Sequence, residues 1–190
     1  MVYIIIGGLG FLVIHIFDIV ALKKVPGAKP VVWILGSGML VYALVMLMLQ
    51  PAKLSLPAWM PLTGWLLLSV SLILLIYSLF ISLPFRKTYV ASGVSDRLIT
   101  KGMYSLVRHP GVIWLSLVLL SLILVSSSSL LLAAAPLFIF LDIILVTIQD
   151  KVFFSRMFDG YQDYRLETPM VLPNRKSFYA FINSLKRLDT

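Results

Sequence analysis

The stretch VIWLSLVLLSLILVSSSSLLLAAAPLFIFLDIILVTI, residues 112–148, decides the fold. It is apolar almost throughout, and its one low-complexity break is the run Ser126, Ser127, Ser128 and Ser129. A spanning helix needs about 20 apolar residues, so this stretch is too long for one helix and suits two joined by a tight polar turn. Its first arm, residues 112–125, is short for a full span and predicts a helix that begins inside the headgroup region.

The same pattern extends upstream. Residues 2–22 run to Lys23 and Lys24, residues 31–49 run to Gln50 and Pro51, and residues 62–83 run to Pro84. The reading is an all-α polytopic membrane protein with about five transmembrane helices. Composition agrees: 60% of the 190 residues are hydrophobic and 13% charged, whereas soluble domains are nearer half apolar and a quarter charged. The first span lacks a basic leader region and a small-residue cleavage site, so it is not expected to be a cleaved signal peptide.

Five spans make four loops and a tail. Lys23, Lys24 and Lys29 fall in the first loop, Lys53 in the second, and Arg86, Lys87, Arg97, Lys101 and Arg108 in the third. The tail carries Lys151, Arg156, Arg165, Arg175, Lys176, Lys186 and Arg187. All of the 16 basic residues except Lys53 thus share one side. The positive-inside rule then predicts an N-terminus outside and a cytoplasmic C-terminus. The net charge of +8 is spent flanking spans and forms no folded basic face, which argues against nucleic acid as a partner. The absence of targeting signals and the short chain point to a prokaryotic inner membrane. With no cysteine and only two histidines, no thiol nucleophile, disulfide or metal site is expected.

Composition divides the chain near Pro84. Residues 1–84 hold three spans with little polar chemistry. Residues 85–190 hold a cytoplasmic loop, the hairpin 110–149 and a polar, aromatic tail. In the loop, Arg108 and His109 precede Pro110, which is favoured as a first helical residue. The N–H groups of Gly111, Val112 and Ile113 are then expected to be free, a helix opening that attracts a carboxylate or phosphate. Arg108 adds a guanidinium that grips such a group in two places, and His109 a donor or acceptor near neutral pH. Lipid phosphate is the plainer partner for the same residues. Beyond the last span, Gln149 and Asp150 lead to Tyr161 and Tyr164, which share a helix face and suit a nucleobase, a cation or an interfacial aromatic belt. A short turn pairs the last two spans antiparallel, so these two stretches are expected to meet.

At these stretches the chain resembles the integral-membrane methyltransferases, which include isoprenylcysteine carboxyl methyltransferases and phospholipid N-methyltransferases. Leu98, Thr100, Gly102, Tyr104, Arg108, His109 and Pro110 match in register the pattern L-x-T-x-G-P-Y-x-x-x-R-H-P-x-Y-x-G. Tyr161, Tyr164, Pro169 and Pro173 match a second pattern, E-E-x-x-L followed by F-G-x-x-Y-x-x-Y and P-x-x-x-P. Met103, Val112 and Trp114 depart from the first pattern, and Gln149, Asp150, Met157 and Phe158 from the second.

The resemblance implies an S-adenosylmethionine-dependent methyltransferase with a hydrophobic or lipidic acceptor, prenylated or otherwise, reached through membrane lipids. Arg108, Asp150 and His109 are the expected catalytic residues. The cofactor carboxylate is expected at Arg108 and the Pro110, Gly111 and Val112 helix opening. Its amino group is expected at Asp150 or the Gln149 carbonyl, and its adenine near Tyr161, Tyr164 and His109. Gly102 and Tyr104 complete the set. An amine acceptor must also lose a proton, to Asp150, Glu167 or His109. Two alternatives remain: an NADPH-dependent reductase of the sterol-reductase type, and a non-catalytic membrane protein or transporter that retains the fold.

Polar residues also lie within the spans. His15 and Asp18 sit one turn apart in the first and Asp142 sits in the last. They are expected to join spans through a polar contact, such as one between the first-span pair and Asp142, or to line a proton path. Gly7, Gly8, Gly10, Gly36 and Gly38 predict close helix approach. Phe178, Phe181, Ile182, Leu185 and Leu188 recur at helical spacing over residues 177–188 and predict an interfacial helix.

Overall fold

The computed structural model describes residues 1–94 and 97–186. Their architecture is all helical. The long helices are α1 (Val2–Leu22), α2 (Ala28–Met48), α3 (Met60–Ile76), α5 (Pro110–Ser126) and α6 (Ser129–Ile148). Shorter pieces are α4 (Met103–Leu106), α7 (Phe154–Met157), α8 (Tyr161–Glu167) and α9 (Arg175–Lys186). Wide π turns extend α3 over Tyr77–Ile81 and α6 over Gln149–Phe153, and a third covers Arg86–Val90.

Four helices are long and apolar enough to cross a membrane: Val2–Leu22, Ala28–Met48, Met60–Ile81 and Ser129–Met157. The fifth apolar helix, α5, has 17 residues, about 25 Å of length. Large apolar side chains such as Ile5, Ile34, Leu66, Ile73 and Phe140 stand exposed around these helices. Water would not tolerate so much apolar surface, whereas lipid requires it, and helices leave no backbone group unpaired there. The protein is an integral membrane protein.

The serine run forms the expected turn. Ser127 takes a left-handed conformation (φ 53°) and Ser128 caps α6, accepting from the Leu131 N–H. This turn also ties down the second loop: the Leu54 N–H donates to the Ser127 carbonyl, and the Ser129 N–H donates to the Ala52 carbonyl. Lys53 therefore shares an end of the bundle with the serine turn. Lys29, Gly93, Arg108 and Asp150 gather with the other loops at the opposite end. Lys29 itself departs from expectation. It sits in the first turn of α2, 2% exposed, donating to the Gly93 carbonyl at 2.9 Å and lying 5.0 Å over the Phe17 ring. It is a buried cation, not a solvated loop charge.

The helices pair as α1 with α2 and α3 with α5, more extensively than the hairpin partners α5 and α6 pair with each other. Glycine explains both contacts. A Cβ on Gly10 would lie 2.9 Å from the Gly36 carbonyl oxygen, and one on Gly36 would lie 2.7 Å from the Ile14 nitrogen, so these two backbones touch. Gly64, which the sequence reading passed over, does the same for α3, with the Val125 nitrogen 2.9 Å away. Gly7 makes room for the Phe138 ring. Gly8 makes only ordinary contact with Leu141, and Gly38 faces open space, so neither marks a close crossing. The core is built from Phe11, Leu44, Leu47, Leu119, Leu131 and Phe138, where α1, α2, α5 and α6 meet.

The polar contact between spans also differs from expectation. Asp18 accepts two bonds from the Gln149 amide, at 2.9 and 3.1 Å, and does not meet Asp142. His15 donates through Nδ1 to the Phe11 carbonyl at 3.0 Å, a bond within its own helix. Helix α9 is amphipathic, with Phe178, Tyr179 and Leu185 exposed. Its Ser184 hydroxyl accepts from the Gly102 N–H and meets the Ser105 hydroxyl, which docks it on α4. Leu188 lies outside the described residues.

Candidate active site

The two stretches singled out in the sequence do meet, and they meet at Asp150. The π turn at Gln149–Phe153 widens the end of α6 and resets its phase. Gln149 turns toward α1 and Asp150 toward α5. Between α4 and α5, Val107 is extended and Arg108 and His109 follow without helical geometry. Their backbone N–H groups donate to the Pro169 carbonyl (2.9 Å) and the Met170 carbonyl (3.0 Å). The proline-flanked segment after α8 thus fixes the direction in which Arg108 leaves the backbone.

The Arg108 side chain forms a two-pronged pair with Asp150, Nε to Oδ1 at 2.8 Å and Nη2 to Oδ2 at 3.0 Å. Its Nη1 donates to the Thr168 carbonyl and, at 3.2 Å, to the Arg165 carbonyl. The Tyr161 hydroxyl donates to Asp150 Oδ1 at 2.5 Å, and His109 Nε2 lies 3.3 Å from the same oxygen. Arg165 Nε adds an ion pair at 3.4 Å to Oδ2. Asp150 is 1% exposed and its lone pairs are fully taken up. Burial alone would lower the Arg108 guanidinium, but the bonds and charge of Asp150 outweigh it and hold that group above its ordinary value. Burial, reinforced by the bond to Asp150, pushes the Tyr161 phenol up, so it stays a neutral donor at physiological pH. Burial likewise raises Tyr164.

Aromatic rings brace this cluster. His109 stacks on Phe154 at 5.6 Å with planes 10° apart. Tyr161 meets Phe154 and Tyr164 edge-on at 5.5 and 5.9 Å. The Tyr164 hydroxyl donates to the Tyr104 carbonyl at 2.5 Å, and the Tyr104 hydroxyl to the Ser78 carbonyl at 3.1 Å.

Against this cluster opens a cavity of about 670 Å³, within the range typical of ligand sites. Of the residues expected to hold a cofactor, Tyr104, Arg108, His109, Pro110, Gly111, Val112, Gln149, Tyr161 and Tyr164 all line it. Asp150 stands behind them, and Gly102 faces α9 instead. The helix opening is less open than expected, because the Val112 N–H donates to the His109 carbonyl at 3.2 Å. From the polar end the cavity runs between the spans along Phe11, Leu40, Leu44, Leu68, Leu72 and Leu122. Its wall is overwhelmingly apolar, broken by His15, Asp18, Lys29, Ser37 and Asp142. The sequence reading missed Arg165 and the Thr168 carbonyl, although Arg165 lies one turn beyond Tyr161 on the same face of α8.

A polar head joined to an apolar tunnel within a helical bundle suits a reaction between a polar cofactor and a membrane-borne acceptor. Residues 59–160 match the family described as phospholipid methyltransferase. The matched stretch is longer than half of the 190-residue chain and contains Arg108, His109, Gln149 and Asp150. The chain belongs to the phospholipid methyltransferase family. It is therefore a member of a family of membrane methyltransferases. No curated protein and no solved structure matches it.

Proposed function

We propose that this protein transfers a methyl group from S-adenosylmethionine to a lipidic acceptor that enters from the bilayer. The single observation that carries the reading is the cavity of about 670 Å³ that joins the Arg108, His109 and Tyr161 end to an apolar passage between the spans. Bound there, S-adenosylmethionine supplies an electrophilic methyl group on a sulfonium.

The donor set fits this cofactor. The one Arg108 N–H left over by Asp150, Thr168 and Arg165, together with the Gly111 N–H at the α5 opening, would hold its carboxylate. The Gln149 carbonyl would take its amino group, since Asp150 is saturated by Arg108, Tyr161, His109 and Arg165. The rings of Tyr161, Tyr164 and Phe158, all on the cavity wall, would pack against the adenine. Asp150 acts here as a positioning residue. It fixes the Arg108 guanidinium and the His109 ring, and so holds the pocket in one shape before anything binds.

The family description favours an amine acceptor on a phospholipid over a carboxylate. An ammonium must lose a proton before its lone pair can form the new C–N bond. His109 is placed for that step. With its Nε2–H given to Asp150, Nδ1 remains as the proton acceptor, and the Phe154 stack keeps the ring from turning. The apolar wall excludes water, which would otherwise compete as the nucleophile. Residues 85–190 then carry the cofactor chemistry, while residues 1–84 close the acceptor passage. The basic end of the bundle, where this chemistry sits, faces the cytoplasm by the positive-inside rule, and a prokaryotic inner membrane is the expected location.

Isothermal titration of the detergent-solubilised protein tests the reading. S-adenosylhomocysteine is expected to bind and NADPH not to bind. Binding of NADPH alone would mark a reductase, and binding of neither would leave a fold without this chemistry.

A further inference from the structure

Asp142 is 8% exposed, lies within α6 and faces the same cavity. Among the described residues it has no hydrogen-bond or ion-pair partner. The other charges on the cavity wall are paired or open to solvent. Arg108 is paired with Asp150. Asp18 is held by the Gln149 amide and feels the Lys29 charge. Arg97 stands exposed to solvent. The carboxyl of Asp142 is left over, and it points into an apolar space far too costly for an unmatched anion.

We propose that Asp142 is a specificity-determining residue whose carboxylate receives the positively charged amine of the acceptor's headgroup. The inference deepens the methyltransferase reading and rests on it for the identity of the cavity as the acceptor's site. Asp142 precedes Gln149 by two helical turns, roughly 10 Å along the axis. An acceptor anchored there therefore lies beside the cofactor end without occupying it. His15 lines the same cavity, and its Nδ1–H is already given to the Phe11 carbonyl. Its Nε2 is thus an acceptor that a second N–H of the amine can use. Two acceptors and, among the described residues, no free cation at this depth select an ammonium and repel a carboxylate or a bare phosphate. The two roles follow one another: Asp142 receives the amine by charge as the lipid enters, and the amine gives its proton to His109 once the headgroup has moved on to the polar end.

The test is a pair of titrations on the full chain in non-ionic detergent, with lysophosphatidylethanolamine and with lysophosphatidylglycerol, which has the same tail and no amine. The wild type is expected to bind the amine lipid at least ~10-fold more tightly. Asp142→Asn and Asp142→Leu are each expected to remove that preference. Leucine suits an apolar span, so the second variant tests the proposal even if the first does not fold. A wild type without the preference, or a Leu variant that keeps it, would overturn the proposal. S-adenosylhomocysteine affinity, measured on the same samples, is expected to change by less than about twofold in either variant, as the site is two turns away. A parallel loss of that affinity would also overturn it. Failure of the wild type to bind S-adenosylhomocysteine defeats the methyltransferase reading instead, and the two lipid titrations still decide whether Asp142 reads the amine.

Discussion

At the scale of single residues, Asp150 is the centre of gravity of the site. It is 1% exposed and takes bonds from Arg108, Tyr161 and His109. Removing one member of a buried pair leaves the other uncompensated, which costs about 3–5 kcal/mol. Arg108→Met should therefore lower the free energy of unfolding by about that amount, while Arg108→Met with Asp150→Leu should recover part of it, because the Tyr161 hydroxyl and the His109 N–H then lose their acceptor. Reversible unfolding in mixed micelles measures both. Equal loss in the single and double variants would show that the pair is not the cause. Arg108, His109 and Tyr161 were legible in the sequence as residue types in a known spacing, and Asp150 as a carboxylate where the pattern has a longer one. Their mutual bonding was not. Spacing along a chain says which groups are available, and the fold decides whether they face a ligand or one another. Lys29 shows the same limit: beside Lys23 and Lys24 it reads as a flanking charge, and only the packing of Phe17 and Gly93 against it makes it a buried cation.

At the scale of helices, sequence fixes existence better than pairing. Each span is apolar around its whole circumference, so no stripe marks the side that meets a neighbour. Small residues are the remaining signal. Gly10 and Gly36 used it correctly, Gly38 did not, and Gly64 carried it alone and unnoticed. The difference can be measured. Gly36→Ala drives a methyl group against the Ile14 nitrogen and the Gly10 carbonyl as well as the Ile14 side chain, a backbone clash that no rotamer change relieves, and should cost about 1–3 kcal/mol. Gly38→Ala faces open space and should fall within about 0.5 kcal/mol of the wild type. The π turn at Gln149–Phe153 was likewise hidden. Its consequence is that neighbours in sequence, Gln149 and Asp150, serve different partners: one joins α6 to α1, the other builds the site.

At the scale of the whole molecule, the cavity belongs to no single segment, and so no motif announces it. It exists because α1, α2, α3, α5 and α6 splay around a space that none of their side chains fills, and because the Asp150 cluster closes one end. Under the proposed function, that shape is where a polar reagent and a lipid meet. Methyl transfer itself is the most direct measurement. The purified protein, in nanodiscs of phosphatidylglycerol with and without phosphatidylethanolamine, is given S-adenosylmethionine labelled on the methyl group. Label is expected in the extracted lipid, only where the amine lipid is present, and at a level reduced at least ~10-fold by Arg108→Lys, which keeps the charge and loses the fork. Extracted lipid without label from a folded wild type that binds S-adenosylhomocysteine would contradict transfer to an aminolipid.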